Sequence, residues 1–99
     1  MKHNIHDESV KDLFLALLSL KTVDECYALF EDLCTPNELL SIAQRFQVGE
    51  MLKENRTYKE ISKVTGASTT TISRVNRLLN DDKHGIEMAY ERIRGKKYE

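Results

Sequence analysis

Residues 57–79, TYKEISKVTGASTTTISRVNRLL, decide the fold. Thr57 and Glu60 form a capping-box pattern, which predicts that a helix begins at this point. Gly66 stands where the chain needs a residue that tolerates positive φ, so the helix should end just before it. Ser68 is a favourable N-cap for a second helix. The apolar positions at helical spacing are Ile61 and Val64 in the first helix and Ile72, Val75 and Leu79 in the second. The sequence thus predicts a helix-turn-helix.

The remaining face of the second helix carries hydroxyls and arginines, namely Thr69, Thr70, Ser73, Arg74 and Arg77. Short hydroxyl side chains let a helix approach base edges closely, and arginine can donate two hydrogen bonds to guanine or bind a phosphate. Residues 56–79 hold five cations and one acid, whereas residues 1–55 hold five cations and ten acids. The segment therefore forms a local positive patch of the kind that phosphate contacts require.

These features predict binding in the major groove of double-stranded DNA. The residues assigned to contacts with base edges, made directly or through water, are Ser68, Thr69, Thr70, Ser73 and Arg74. Those assigned to contacts with phosphates are Lys59, Lys63 and Arg77. The alternative is a protein-interaction module that docks on transcription machinery without useful DNA affinity. It stays open because helix pairs occur in many all-α domains and the whole chain has a net charge of −1.

The composition predicts one all-α domain of 99 residues, with one proline and four glycines. We find neither an apolar run of 18 residues nor a signal-peptide pattern, so a soluble, cytoplasmic protein without membrane association is expected. The chain also lacks a nucleophile–base pair and a glycine-rich phosphate loop, so neither an enzyme nor a cofactor is expected. Cys26 and Cys34 are interpreted as core thiols, with a redox switch as the alternative. His3 and His6 could share a helical turn, but a metal site is not predicted.

The N-terminal half, residues 7–55, is predicted to consist of dimerisation helices. The helix over residues 7–20 is apolar on nearly all sides, which predicts that another subunit covers it. The alternative is a central position in a monomeric bundle. The second helix follows Thr22, with an inner face of Val23, Cys26, Tyr27, Phe30 and Leu33. Thr35 and Pro36 then begin a long third helix that should run to about Asn55.

Three further features concern the third helix, the turn and the C-terminal region. Gly49, in the middle of the third helix, would either allow another helix to approach closely or only weaken its own. Thr65 occupies the position before the turn glycine, which is usually apolar. A C-terminal helix within residues 83–94, roughly Ile86 to Ile93, should follow a connection over residues 83–85, and RGKKYE should be a frayed tail.

A family resemblance is carried by TPNELLSIAQR at residues 35–45, by YKEISKVTGASTTTISRV at residues 58–75, and by Asn76. Through them the chain resembles the Trp repressor superfamily, in particular its YerC/YecD-type branch. The resemblance covers almost the whole chain. It implies an all-α fold of six helices and two chains intertwined through their N-terminal helices. It also implies a sequence-specific transcription regulator, a repressor that acts as a homodimer on a palindromic operator.

The resemblance further implies an effector site. In Trp repressors, an arginine on the long helix and another on the recognition helix bracket bound tryptophan. Arg45 and Arg74 resemble these positions, and Thr35 resembles the threonine at the opening of the long helix. Val75 and Leu78 stand where tryptophan-binding members have glycine and serine, and their bulk would intrude on the indole ring. A small anionic effector other than tryptophan, or no ligand at all, is therefore expected. From its neighbours alone, Arg45 is either a surface charge or a cation at the edge of the core.

Overall fold

The computed structural model describes residues 5–81 and 85–98 as an all-α chain. Within these ranges six helices follow one another without any strand. They are α1 (Glu8–Ser19), α2 (Val23–Leu33), α3 (Pro36–Lys53), α4 (Tyr58–Thr65), α5 (Thr69–Leu79) and α6 (Gly85–Tyr98). The predicted fold class is thereby confirmed for the single chain. The chain divides into two compact units, Met1–Pro36 and Asn37–Glu99.

The N-terminal unit contains α1 and α2, and none of their residues is buried. Asp7 is the N-cap of α1. Thr22 caps α2 and accepts a hydrogen bond from the backbone N–H of Glu25 at 3.1 Å. The expected inner face of α2 is largely open to solvent in the single chain, with Cys26 exposed and Cys34 half-buried. The interpretation of both cysteines as core thiols is therefore wrong for the single chain.

Helix α3 ends two residues before the predicted position, and its last turn shows why. Asn55 has a positive φ of 60°, a conformation that asparagine tolerates better than most residues. Its N–H donates to the carbonyl of Leu52 at 3.0 Å, and the N–H of Arg56 donates to the carbonyl of Met51 at 3.0 Å. These two bonds form a Schellman motif, which satisfies carbonyls that would lack a donor inside the helix.

The core of the second unit is formed by residues from α3, α4, the turn and α5. Its buried apolar members are Val48, Met51, Ile61, Ala67, Ile72 and Val75, and Leu52, Leu79 and Ile86 pack against them. Most of the predicted apolar stripe of the helix-turn-helix is therefore in the core. Val64 is the exception, because its side chain is 55% exposed.

Helix α6 is longer than the sequence predicted. It begins at Gly85, which was expected in a connection, and it continues to Tyr98 through the segment expected to fray. Lys83, the other end of the expected connection, lies outside the described residues. The half-buried Arg94 donates from Nη2 to Glu50 Oε2 of α3 at 3.0 Å, and Lys53 Nζ lies 2.6 Å from Glu87 Oε1. These ion pairs join α6 to α3.

Over residues 5–81 and 85–98, none of the helices is both long enough and apolar enough to cross a membrane.

Candidate nucleic-acid interface

The N-terminus of α4 has the predicted capping box. Glu60 N–H donates to Thr57 Oγ1 at 3.1 Å, and Thr57 N–H donates to Glu60 Oε1 at 3.0 Å. The Thr57 hydroxyl also donates to Glu60 Oε1 at 3.0 Å. The bonds that the Thr57 backbone N–H and hydroxyl donate to this carboxylate, with a smaller effect of the Arg56 charge, hold the pKa of Glu60 below its usual value. Arg56 Nε also lies 3.3 Å from Glu60 Oε2. Glu60, the acidic residue of the segment 56–79, therefore caps the N-terminus of α4.

The turn between α4 and α5 is held by polar contacts. Gly66 adopts φ of 75°, as its position required. Thr65 Oγ1 donates to the carbonyl of Ile61 at 2.7 Å and accepts from the N–H of Ala67 at 3.1 Å. An apolar side chain could make neither bond, so the unusual threonine before the glycine has a structural role. Gln44 Nε2 of α3 donates to the Thr65 carbonyl at 3.0 Å.

Ser68 begins α5 and uses its hydroxyl locally. Its Oγ accepts from the N–H of Thr71 at 3.1 Å and donates to Thr71 Oγ1 at 3.2 Å. This leaves one lone pair for an outside donor such as water. Ser68 is exposed at the helix N-terminus, so the predicted contact with a base stays a prediction.

Helix α5 brings five of the eight predicted DNA-binding residues onto one surface. An open depression of about 380 Å³ is lined by Thr69, Thr70, Ser73, Arg74 and Arg77. All five are exposed, and so are Lys59 and Lys63 on α4. The opposite side of α5 is anchored in the core by Ile72 and Val75. Helix α5 contains no acidic residue, so the depression presents hydroxyl and cationic groups without any negative charge from this helix.

Arg45 and Arg74, predicted to form an effector site, line the same cleft between α3 and α5. The cleft has a volume of about 150 Å³, with walls formed by Ser41, Gln44, Arg45, Thr71, Arg74, Val75 and Leu78. It is smaller than the roughly 300–1,000 Å³ of most small-molecule sites. Val75 and Leu78 are among its walls. Thr35 is exposed at the end of the N-terminal unit.

Gln44 is the residue of this region that sequence reasoning missed. It lies four positions before the buried Val48, hence on the same side of α3. A polar residue one turn from a core position is a signal for a buried-edge hydrogen bond. Its partner, 21 residues away, could not be read from the sequence.

No group of three or more histidine, cysteine, aspartate or glutamate side chains in the described ranges is placed to hold a metal ion. His3 lies outside those ranges.

An all-α fold that exposes the second helix of a helix-turn-helix, with cations and hydroxyls on its open face, defines a class of DNA-binding proteins. The family model described as Trp repressor protein matches residues 8–94, and the chain belongs to this family. The uncharacterized protein YerC of Bacillus subtilis (strain 168) is 49% identical over 90 residues, which are 91% of this chain and 86% of YerC.

Two solved structures are similar over nearly their whole length. A TrpR-like protein from Eubacterium eligens ATCC 27750 is 54% identical, with a TM-score of 0.86, over 90% of this chain and 92% of its own. A candidate Trp repressor from Staphylococcus aureus is 41% identical, also with a TM-score of 0.86, over 94% of this chain and 96% of its own. The family consists of DNA-binding regulators rather than enzymes, and in this general sense the chain is a DNA-binding regulator.

Proposed function

We propose that this protein is a homodimeric transcription repressor of the cytoplasm that reads a palindromic operator through α5. The observation that carries the proposal is the surface formed by Thr69, Thr70, Ser73, Arg74 and Arg77, exposed together on a helix anchored from behind. A rigid helix with short polar side chains near its N-terminus fits the major groove. We assign Ser68 and the first four of these residues to base edges, and Lys59, Lys63 and Arg77 to phosphates.

The dimer is supported by the apolar surface of the N-terminal unit. Phe14 is 54% exposed and Leu18 is 82% exposed in α1, and Tyr27 is 58% exposed in α2. Large apolar side chains clustered at a surface mark interaction sites. A central position of α1 in a monomeric bundle would bury Leu18, so its exposure favours a second copy as the cover. Two copies related by a twofold axis present two α5 helices and favour a palindromic site.

Regulation by a small molecule has two alternatives. Arg45 and Arg74 share a cleft and could hold a small anion, with Thr35 as a further predicted contact. Val75 and Leu78 narrow this cleft, which disfavours tryptophan. The other alternative is that DNA binding needs no effector.

The competing function is a protein-docking module for transcription machinery. The net charge of −1 and the exposed apolar side chains of α1 and α2 favour it. Salt separates the two functions, because DNA affinity must fall steeply as the salt concentration rises.

The experiment is selection of bound duplexes from a random DNA pool at moderate salt, with and without a mixture of amino acids and small anionic metabolites. We expect an enriched palindrome, bound by a dimer in sedimentation and released as salt is raised. Enrichment that requires the mixture would assign an effector to the Arg45–Arg74 cleft. No enrichment in either arm would contradict the repressor and favour protein docking.

A further inference from the structure

We infer that Gln44 is a positioning residue, which holds the turn of the helix-turn-helix against α3 and so sets the orientation of the α5 reading face. The inference rests on the proposed DNA-reading function. It concerns a bond inside the chain that orients this face without any bound small molecule.

The first observation is the bond itself. Gln44 Nε2 donates to the Thr65 carbonyl at 3.0 Å in a partly buried position. Thr65 is the last residue of α4, and the last carbonyls of a helix have no donor within that helix. The carbonyl of Ser62 receives the N–H of Gly66 at 2.8 Å, and that of Ile61 receives the Thr65 hydroxyl at 2.7 Å. The carbonyl of Thr65 receives its donor from α3 instead.

The second observation is where this side chain lies. A Cβ placed on Gly66 would have Gln44 Nε2 as its neighbour at 4.0 Å, so the amide of Gln44 lies over the turn. Helix α5 begins at Thr69, three residues after Gly66. A shift of the turn would therefore move the N-terminal end of the reading face, where Thr69 and Thr70 lie.

A directional contact is needed because the core alone is not directional. Val48 and Met51 of α3 pack on Ile61, Ile72 and Val75, and such apolar contacts tolerate small rotations and slides. A hydrogen bond weakens steeply when its distance or angle departs from the optimum. The Gln44 amide thus selects one position of α4 and α5 relative to α3, among the several positions that the apolar packing alone would allow.

The third observation connects this bond to DNA reading. Gln44 lines the cleft between α3 and α5 together with Arg74, and Arg74 also lines the reading depression. The side chain that holds the turn therefore lines the same cleft as the arginine assigned to a base edge. We expect the reading face to be oriented by the chain itself, and specific DNA binding to occur without an added effector.

The test compares Gln44→Met with Gln47→Met in the full-length chain. Methionine keeps the length of the side chain and its apolar contacts but has no N–H donor. Gln47 is an exposed glutamine of the same helix, so it controls for the replacement itself. For each protein, affinity is measured for the duplex selected from the random pool and for a random duplex at one salt concentration. Residual dipolar couplings of the amides report the orientation of α5 relative to α3, and a thermal melt reports the fold.

We expect Gln44→Met to stay folded and to lose about fivefold in preference for the selected duplex, the effect of about one net hydrogen bond. The couplings of α5 should change while those within α3 stay the same, and Gln47→Met should match the wild type in all measurements. Unchanged preference and unchanged couplings in Gln44→Met would overturn the inference. If the wild type itself prefers no sequence, the proposed function fails, and the couplings still decide whether Gln44 orients α5.

Discussion

Gly49 of α3 and Ile86 of α6 approach so closely that a Cβ at position 49 would lie 2.6 Å from Ile86 Cγ2. Gly49 is buried, and the ion pairs Lys53–Glu87 and Arg94–Glu50 join the same two helices. Of the two interpretations of this glycine, the structure supports the close approach of another helix. Position 49 therefore determines how near α6 can pack to α3.

Gly49→Ala should destabilise the protein even though alanine is the better helix former. Alanine gains about 1 kcal/mol of helix propensity, whereas overpacking costs about 1–3 kcal/mol. The Cγ2 atom of Ile86 can move away only by a χ1 rotation, which is strongly restricted for a β-branched residue in a helix, or by a shift of the helix itself. We expect a net loss of about 1 kcal/mol in urea unfolding at fixed protein concentration.

Ile86→Ala provides the control for this substitution, because it removes the Cγ2 atom that the new methyl group meets. In the Ile86→Ala background, Gly49→Ala should stabilise the protein, so the double-mutant cycle should show a clear coupling. An equal loss in both backgrounds would show that the contact is not the cause.

The stability of the helix-turn-helix should fall in acid partly through Glu60. Hydrogen bonds from Thr57 hold the pKa of Glu60 below 4.5, the value for the free side chain. Because the pKa is lower in the folded state, this stabilisation is present above pH 4.5 and is lost as the pH falls through the lowered pKa. Glu60→Gln should therefore show a weaker decline of unfolding free energy between neutral and acidic pH.

Chemical unfolding at a series of pH values checks this expectation. Glu31→Gln, the same replacement at an exposed position of α2, is the control and should follow the wild-type profile more closely. Identical acid profiles for Glu60→Gln and the wild type would assign the acid sensitivity to other carboxylates.

The parts of this fold that the sequence predicted are those determined by neighbouring residues. Thr57 with Glu60, Gly66 and Ser68 each act on groups within four positions, and the structure has all three signals. Most of the DNA-binding candidates could also be placed on one surface, because helical periodicity alone separates their face of α5 from the buried stripe. Their roles in binding stay predictions.

The parts that were missed depend on distant residues. The bond of Arg94 joins α6 to Glu50, 44 positions away, which the local composition of RGKKYE does not reveal. The Gln44–Thr65 bond spans 21 positions. Cys26 was assigned to a core because periodicity identifies the apolar face of a helix but not what covers it.

The dimer should dissociate when charge is placed on the apolar face of α1. Leu18 is 82% exposed in the single chain, and a second copy would remove it from water. Leu18→Glu would then bury a carboxylate without a partner, which is strongly unfavourable. We expect sedimentation to show a dimer for the wild type and a monomer for Leu18→Glu. Gln47→Glu, which likewise adds one negative charge at an exposed position but on α3, is the control. A wild-type monomer would contradict the proposed assembly.

Arg74 and Lys63 should affect DNA binding in different ways. Arg74 lies in the reading depression of α5, whereas Lys63 is an exposed cation of α4. Arg74→Ala should cost about 1–3 kcal/mol on the selected duplex and relax the sequence preference, because a base contact is lost. Lys63→Ala should weaken binding equally on selected and random duplexes and reduce the salt slope by about 1, because only a phosphate contact is lost.

Both variants are titrated on both duplexes at several salt concentrations and without added metabolites, so that any effector role of Arg74 does not contribute. Lys11→Ala, which removes a cation of α1, controls for the change in net charge and should change neither affinity nor salt slope. If Arg74→Ala loses equally on selected and random DNA, its side chain binds phosphate and sequence is read by other groups. The hydroxyls of Thr69, Thr70 and Ser73 would then be the residues to replace next, because they share its surface.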